Sequence, residues 1–342
     1  MAYTTINKST DYFNTKLYTG NGSTNAVTGV GFAPDFVWIK ERTSTSSNVL
    51  GTTVQGTTKR LQSDTTSAEG TLTNIFTSYD SDGFTHGNDA GVNESGQTYA
   101  SWNWKANGAG SSNSDGSISS TVSVNTTAGF SISTYTGTGS NATVGHGLGV
   151  APKMIIIKNL SASQGWCIYH ESIGATKFLS LNSNDAQVTA SDRFNNTSPT
   201  SSVFSVGSHA DTNGNGNNMI AYCFAEKTGY SKFGTVNGNG NNDGPFVYTG
   251  FAPSFVLYKK YNGAGDWYFV DNKRPGYNDN DKRLYANTNQ AEETYDLINL
   301  YSNGFKLTNS THAYTNDSAG TYLYMAFGQS LVGSNNVPCT AR

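Results

Sequence analysis

One decapeptide occurs three times in this chain, and its spacing limits the folds open to it. Gly31-Phe-Ala-Pro-Asp-Phe-Val-Trp-Ile-Lys40 returns as Gly149-Val-Ala-Pro-Lys-Met-Ile-Ile-Ile-Lys158 and as Gly250-Phe-Ala-Pro-Ser-Phe-Val-Leu-Tyr-Lys259. Other landmarks keep their distance from the proline, which chance recurrence of one decapeptide would not do. Trp166 and Trp267 stand 14 residues after Pro152 and Pro253, and Asn48 holds that place after Pro34. Leu61 and Leu179 follow their prolines by 27 residues and Leu284 by 31, which places a four-residue insertion in the Asn272 to Asp281 region. The copies close at Trp104, Phe224 and Phe327, which lie 70, 72 and 74 residues after the three prolines. The repeat is thus a domain-sized unit of about 100 residues, and the 342-residue chain holds three.

The units are expected at 1–106, 118–228 and 229–334, followed by a tail at 335–342. The Gly/Ser/Asn stretch 107–117 reads as a flexible linker. Thr228-Gly229-Tyr230 runs straight on, so units two and three are expected to pack rigidly together and unit one to serve as an anchor.

Each unit reads as β. The strand after the proline is apolar on both faces, as in Phe36 to Ile39 and Met154 to Ile157, which marks a strand buried between two layers. The closing strand alternates, with Ala100, Trp102 and Trp104, or Ile220, Tyr222 and Phe224, on the heavy face. Charged residues are only 13% of the chain, too few to clothe helices, while 20 Tyr and 17 Phe suit pleated strands and argue against disorder. The expected fold class is all-β: three tandem antiparallel β-sandwich modules of jelly-roll or concanavalin-like kind. A β-trefoil also has three repeats, but its lobes are far shorter.

A net charge of −3 gives no basic field, so neither nucleic acid nor an anionic membrane surface is an expected partner. No apolar run is long enough for membrane insertion, and Met1 to Lys8 lacks a signal-peptide pattern, so synthesis in the cytoplasm without export is expected. Cys167, Cys223 and Cys339 match no zinc or redox spacing.

The segments GFAPDFVWIK, SDGF at 81–84, YASWNWKANG at 99–108, the long run at 125–158 and GATKFLSLNS at 174–183 resemble a family of tailed-phage virion proteins. Such proteins occur in viruses of marine bacteria and cyanobacteria and are often described as tail-fibre or concanavalin-A-like lectin proteins. The resemblance covers about residues 15 to 330 and implies a virion surface location. It implies a tail-fibre or receptor-binding adhesin that recognises host surface glycan, in contact with other virion proteins and present as a homo-oligomer or in many copies. The alternative is a head or tail decoration or connector subunit that binds no ligand. The family supplies no catalytic residues.

Aromatic faces for stacking and amides for hydroxyls make Trp166, Trp267 and Asn48 the candidate ligand-binding residues. A recurring aromatic equally suits a core position, and both readings stand at this point. Lys40, Lys158 and Lys259 end the same strand in each copy, where a lysine snorkels or pairs with a carboxylate. No metal site and no cofactor are expected. Calcium is the weakly supported exception, at Asp211 to Gly216, where Tyr222 stands in place of the glutamate that an EF-hand needs. His86, His146, His170, His209 and His312 are scattered and form no HExxH or triad pattern, so the chain is not expected to be an enzyme, and a depolymerase is the least favoured reading.

Overall fold

The structure, a computed structural model, describes residues 3–274, 278, 282–308 and 315–333. His312, Cys339 and the 335–342 tail lie outside the described residues. Four short helical turns apart, the regular structure is β, and every strand ladder among the described residues is antiparallel.

Each repeat builds the same four-stranded core. An opening strand (Phe13–Thr19, Phe130–Thr136, Ser231–Asn237) pairs with a closing strand (Thr98–Trp104, Asn218–Phe224, Thr321–Gln329). The closing strand pairs with the proline strand (Phe36–Glu41, Met154–Asn159, Ala252–Lys260). The proline strand pairs with a fourth (Val49–Thr52, Cys167–His170, Trp267–Asp271). Proline sits where no ladder donor is missed: the next residue makes the first bond, Asp35 N to Trp104 O at 2.9 Å and Lys153 N to Phe224 O at 2.7 Å. In the third repeat the register shifts between Pro253 and Phe255 instead.

The proline strands are buried on both faces for two different reasons. One face (Val37 and Ile39, Ile155 and Ile157, Val256 and Tyr258) meets a small sheet of the same repeat through Phe84, Phe204 or Phe305. The other (Phe36 and Trp38, Met154 and Ile156, Phe255 and Leu257) joins a single core shared by all three repeats. At its centre Trp104, Phe224 and Phe327, the last aromatics of the three closing strands, form a triangle with ring centroids 6.2, 6.2 and 5.9 Å apart. Burying such a side chain fully stabilises by about 1.5–3 kcal/mol.

The repeats close into a ring, each seam carrying the same backbone bond. Glu69 N donates to Leu160 O at 3.0 Å, Gln187 N to Tyr261 O at 2.8 Å, and Glu292 N to Arg42 O at 2.8 Å. The first repeat is therefore joined to its neighbours by the same bond that joins the second and third to each other. The expected linker is likewise structured. Asp35 accepts from Ala106 N (2.6 Å) and Gly108 N (2.8 Å), and Ser111–Asn113 pairs with the strand Ser120–Asn125, extending the second repeat's sheet. Glycine and serine here allow close approach rather than freedom: a Cβ on Gly116 would meet Thr143 O at 2.4 Å.

Candidate functional site

The three residues picked out for ligand binding lie at equivalent places in the three seams. Trp166 and Trp267 are 1% and 0% exposed and Asn48 is 0% exposed, so none of them faces a ligand. The Trp166 indole Nε1 donates to Gln62 O at 2.9 Å, and that of Trp267 donates to Ser180 O at 3.0 Å. Asn48 Nδ2 donates to Tyr285 O at 3.0 Å, the third member of the same set of carbonyls, each one residue past the repeated leucine. The amide also reaches Ala286 O and Thr288 O. The backbone N–H at each place is held by Asp64, Asn182 or Asn287, three residues past the leucines, at 2.8 to 2.9 Å. Sequence reasoning missed that trio, although its constant offset was visible. Asn48 keeps the seam's hydrogen bond, and across the same seam Trp38 and Trp102 pack on Phe269 of the third repeat at 4.9 and 4.1 Å.

The lysines complete the seams. Lys40 Nζ donates to Ser46 O (2.8 Å) and Asn289 O (3.3 Å), Lys158 Nζ to Gln164 O (2.6 Å) and Thr66 O (3.0 Å), and Lys259 Nζ to Gly265 O (2.5 Å) and Asn184 O (3.0 Å). Each ammonium thus ties a carbonyl of its own repeat to one of the neighbour, rather than snorkelling or pairing with a carboxylate. Burial lowers all three to about 8.

The remaining polar candidates serve the fold. Asp211, first residue of the weak calcium motif, lies 3.2 Å from Arg193 and 3.3 Å from His209. Asn213 donates to Ser140 O and Gly207 O and accepts from Thr138 N, clamping the turn that follows the opening strand. Asn93 and Asn316 do the same for Asn21 and Asn239. His86 and His170 are buried and held down to about 4 by desolvation, and burial lowers His146 as well.

Among the described residues, exposed aromatic side chains gather on the small sheet of the third repeat. There Val247 points inward while its neighbours Phe246 and Tyr248 point out, 46% and 59% exposed, with Tyr301 beside them at 43%. The Phe246 and Tyr301 rings meet edge to face at 5.9 Å. Gly304 lies opposite Tyr248 and Tyr301 in the ladders, and a Cβ there would meet the Phe246 ring at 2.7 Å. Tyr3 adjoins the patch, its hydroxyl donating to Gly250 O at 3.0 Å. Lys306, across from Phe246, pairs with Asp243 and supplies a charged rim.

By register, Phe246, Tyr248 and Tyr301 correspond to Ala26, Thr28 and Asp80 in the first repeat. In the second, Thr143 and Gly145 match Phe246 and Tyr248. The aromatic face belongs to one repeat alone. Sequence reasoning sought what the copies share and so passed over it; a search for exposed-strand aromatics present in one copy only would have found it.

A model of the family described as a domain of unknown function (DUF7483) matches residues 8–330. No match was found among curated proteins or among solved structures.

Proposed function

We propose that this chain, which belongs to the DUF7483 family, is a phage virion surface protein, a tail-fibre-type adhesin whose third repeat binds host surface glycan through Phe246, Tyr248 and Tyr301. The observation that carries the reading is the exposed aromatic face present in one repeat of three. Aromatic faces stack on the C–H surfaces of sugars, and the Lys306–Asp243 rim offers a donor and an acceptor to hydroxyls. A contiguous exposed aromatic patch is a feature of binding surfaces. The virion location rests on the resemblance of the repeated motifs. The reading is of a binding protein rather than an enzyme, and the interior placement of His86, His146 and His170 is consistent with that. The finer fold reading is three β-sandwich modules of concanavalin-like kind, supported by the separate core that each large sheet makes with its small sheet. Several copies in a particle would turn weak sugar contacts into firm attachment.

The test is binding of the full chain to host cells and to a glycan array, before and after Tyr248→Ala with Tyr301→Ala. Binding is expected to fall by about tenfold or more, with the unfolding midpoint unchanged. Undiminished binding by the double variant, or no glycan binding even by an oligomerised chain, sinks the proposal. If the same substitutions instead release the chain from another virion protein, the decoration or connector role replaces it.

A further inference from the structure

The glycine- and serine-rich stretch and the strand after it build a groove wall on the second repeat. Its large sheet continues past the opening strand Phe130–Thr136, because Ser111–Asn113 and Ser120–Asn125 fold back and add two strands to that edge. Among the described residues, the large sheets of the first and third repeats begin at their opening strands. The added strands prolong the face that looks toward the shared core. By register, Ser112, Thr121 and Thr134 stand in one line with Ile220 across four neighbouring strands, and Thr136 stands beside Asn218 two residues along. Ile220 belongs to the core, and outward from it this face changes from apolar to hydroxyl and amide.

The first repeat supplies the opposite wall. The seam bond from Glu69 N to Leu160 O fixes Glu69 there, and its carboxylate accepts from Gln55 Nε2 at 2.7 Å and pairs with Lys59 at 3.1 Å. Between the two walls lies a groove of about 480 Å³, with Val54 and Leu160 as apolar contacts. That volume falls in the range of small-molecule sites. The polar groups facing it are reachable. Ser112, Thr121, Thr136 and Asn218 are exposed and Thr134 is half-buried, and none of these five side chains has a hydrogen-bond partner among the described residues.

Hydroxyls and amides both donate and accept, which suits a ligand that is itself built of hydroxyls. Glu69 is the charged residue among those lining the groove, so an anionic ligand meets a like charge and is disfavoured. We propose that this groove binds a neutral saccharide unit, its hydroxyls meeting Thr121, Thr134 and Asn218 on one wall and the Gln55–Glu69 pair on the other, with its C–H surface against Val54 and Leu160. The site lies on other repeats than the aromatic face and does not depend on it.

Calorimetric titration of the full chain with methyl glucoside, galactoside and mannoside, and with the 6-carboxylate counterpart of each, tests this. At least one neutral sugar is expected to bind with a Kd of about 1 mM or tighter, and its carboxylate counterpart about tenfold more weakly or worse. Binding should persist in the chain carrying Tyr248→Ala with Tyr301→Ala, so this site and the aromatic face fail separately. Thr121→Val with Thr134→Val keeps side-chain shape and suits strands, and should weaken binding by about tenfold with the unfolding midpoint unchanged. Glu69→Gln should bring the carboxylate sugar to within about threefold of its neutral counterpart, a change of preference that a merely structural role would not produce. No binding of any neutral sugar, loss of binding with the aromatic face, equal binding of the carboxylate sugar by the unaltered chain, indifference to the threonine changes, or a preference that Glu69→Gln leaves intact overturns the proposal.

Discussion

The seam closed by Trp166 and the seam closed by Asn48 perform the same task with different physics. Between the first and second repeats an indole fills space and caps Gln62 O. Between the first and third, an amide caps the equivalent carbonyl, and a buried ionic chain does the rest. Trp102 Nε1 donates to Asp271 Oδ2 at 3.1 Å, Asp271 pairs with Arg274 at 2.9 Å, Arg274 reaches Glu292 at 3.4 Å, and Glu292 holds Arg42 at 2.8 Å. The difference teaches that what repeats is the bond closing the ring, while the volume and charge around it vary.

The comparison breaks most directly by removing each seam's central group. Trp166→Ala should destabilise by about 3–5 kcal/mol through cavity formation. Arg274→Met should cost a similar amount, about 3–5 kcal/mol, because it strands the buried Asp271 carboxylate. Denaturant unfolding measures both, and a loss below about 1 kcal/mol for Arg274→Met would remove the ionic chain from the account of that seam.

Acid sharpens the contrast next. His170 occupies the position of Asp271 in the seam between the second and third repeats. Its folded pKa is lowered from 6.5 to about 4 by burial, so the unfolded chain takes up a proton that the folded chain refuses. Stability from this group is complete above pH 6.5 and is lost as pH falls toward 4, on the order of 3 kcal/mol in total. His86 is shifted the same way by burial in the first repeat's own core. Unfolding midpoints should therefore fall between pH 7 and 4.5, and His170→Gln should flatten part of that slope. An unchanged slope would place the titration elsewhere.

The smallest effect tests whether Asn48 marks a vacancy. Since Asn48 is fully buried and its amide meets three carbonyls, Asn48→Trp should overpack the site and destabilise by about 1–3 kcal/mol. A gain in stability, read from the same denaturant curves, would mean that room for an indole remains.

Much of the architecture was legible in the residues, and the candidate site was not. The proline strands' two apolar faces and the heavy face of Trp102 and Trp104 predict burial correctly. Periodicity reports that a side chain is covered, however, and not what covers it. That gap misplaced Trp166 and Trp267 as ligand candidates, when each instead reaches a carbonyl of the preceding repeat. Composition erred at 107–117 for a related reason: glycine and serine permit mobility but also permit the close packing that Asp35 and the Ser111–Asn113 strand impose. The aromatic face escaped because a repeat search rewards what copies share, while Phe246, Tyr248 and Tyr301 matter by being unshared.

The sequence by itself determined the threefold repetition, the β class and the strands that must be buried on both sides. Only the tertiary structure decided that the second covering layer is the other two repeats. The physical reason is that backbone pairing and apolar patterning are local properties of a strand. Closure of three sheets around Trp104, Phe224 and Phe327 depends on side-chain volumes meeting across more than 100 residues of chain.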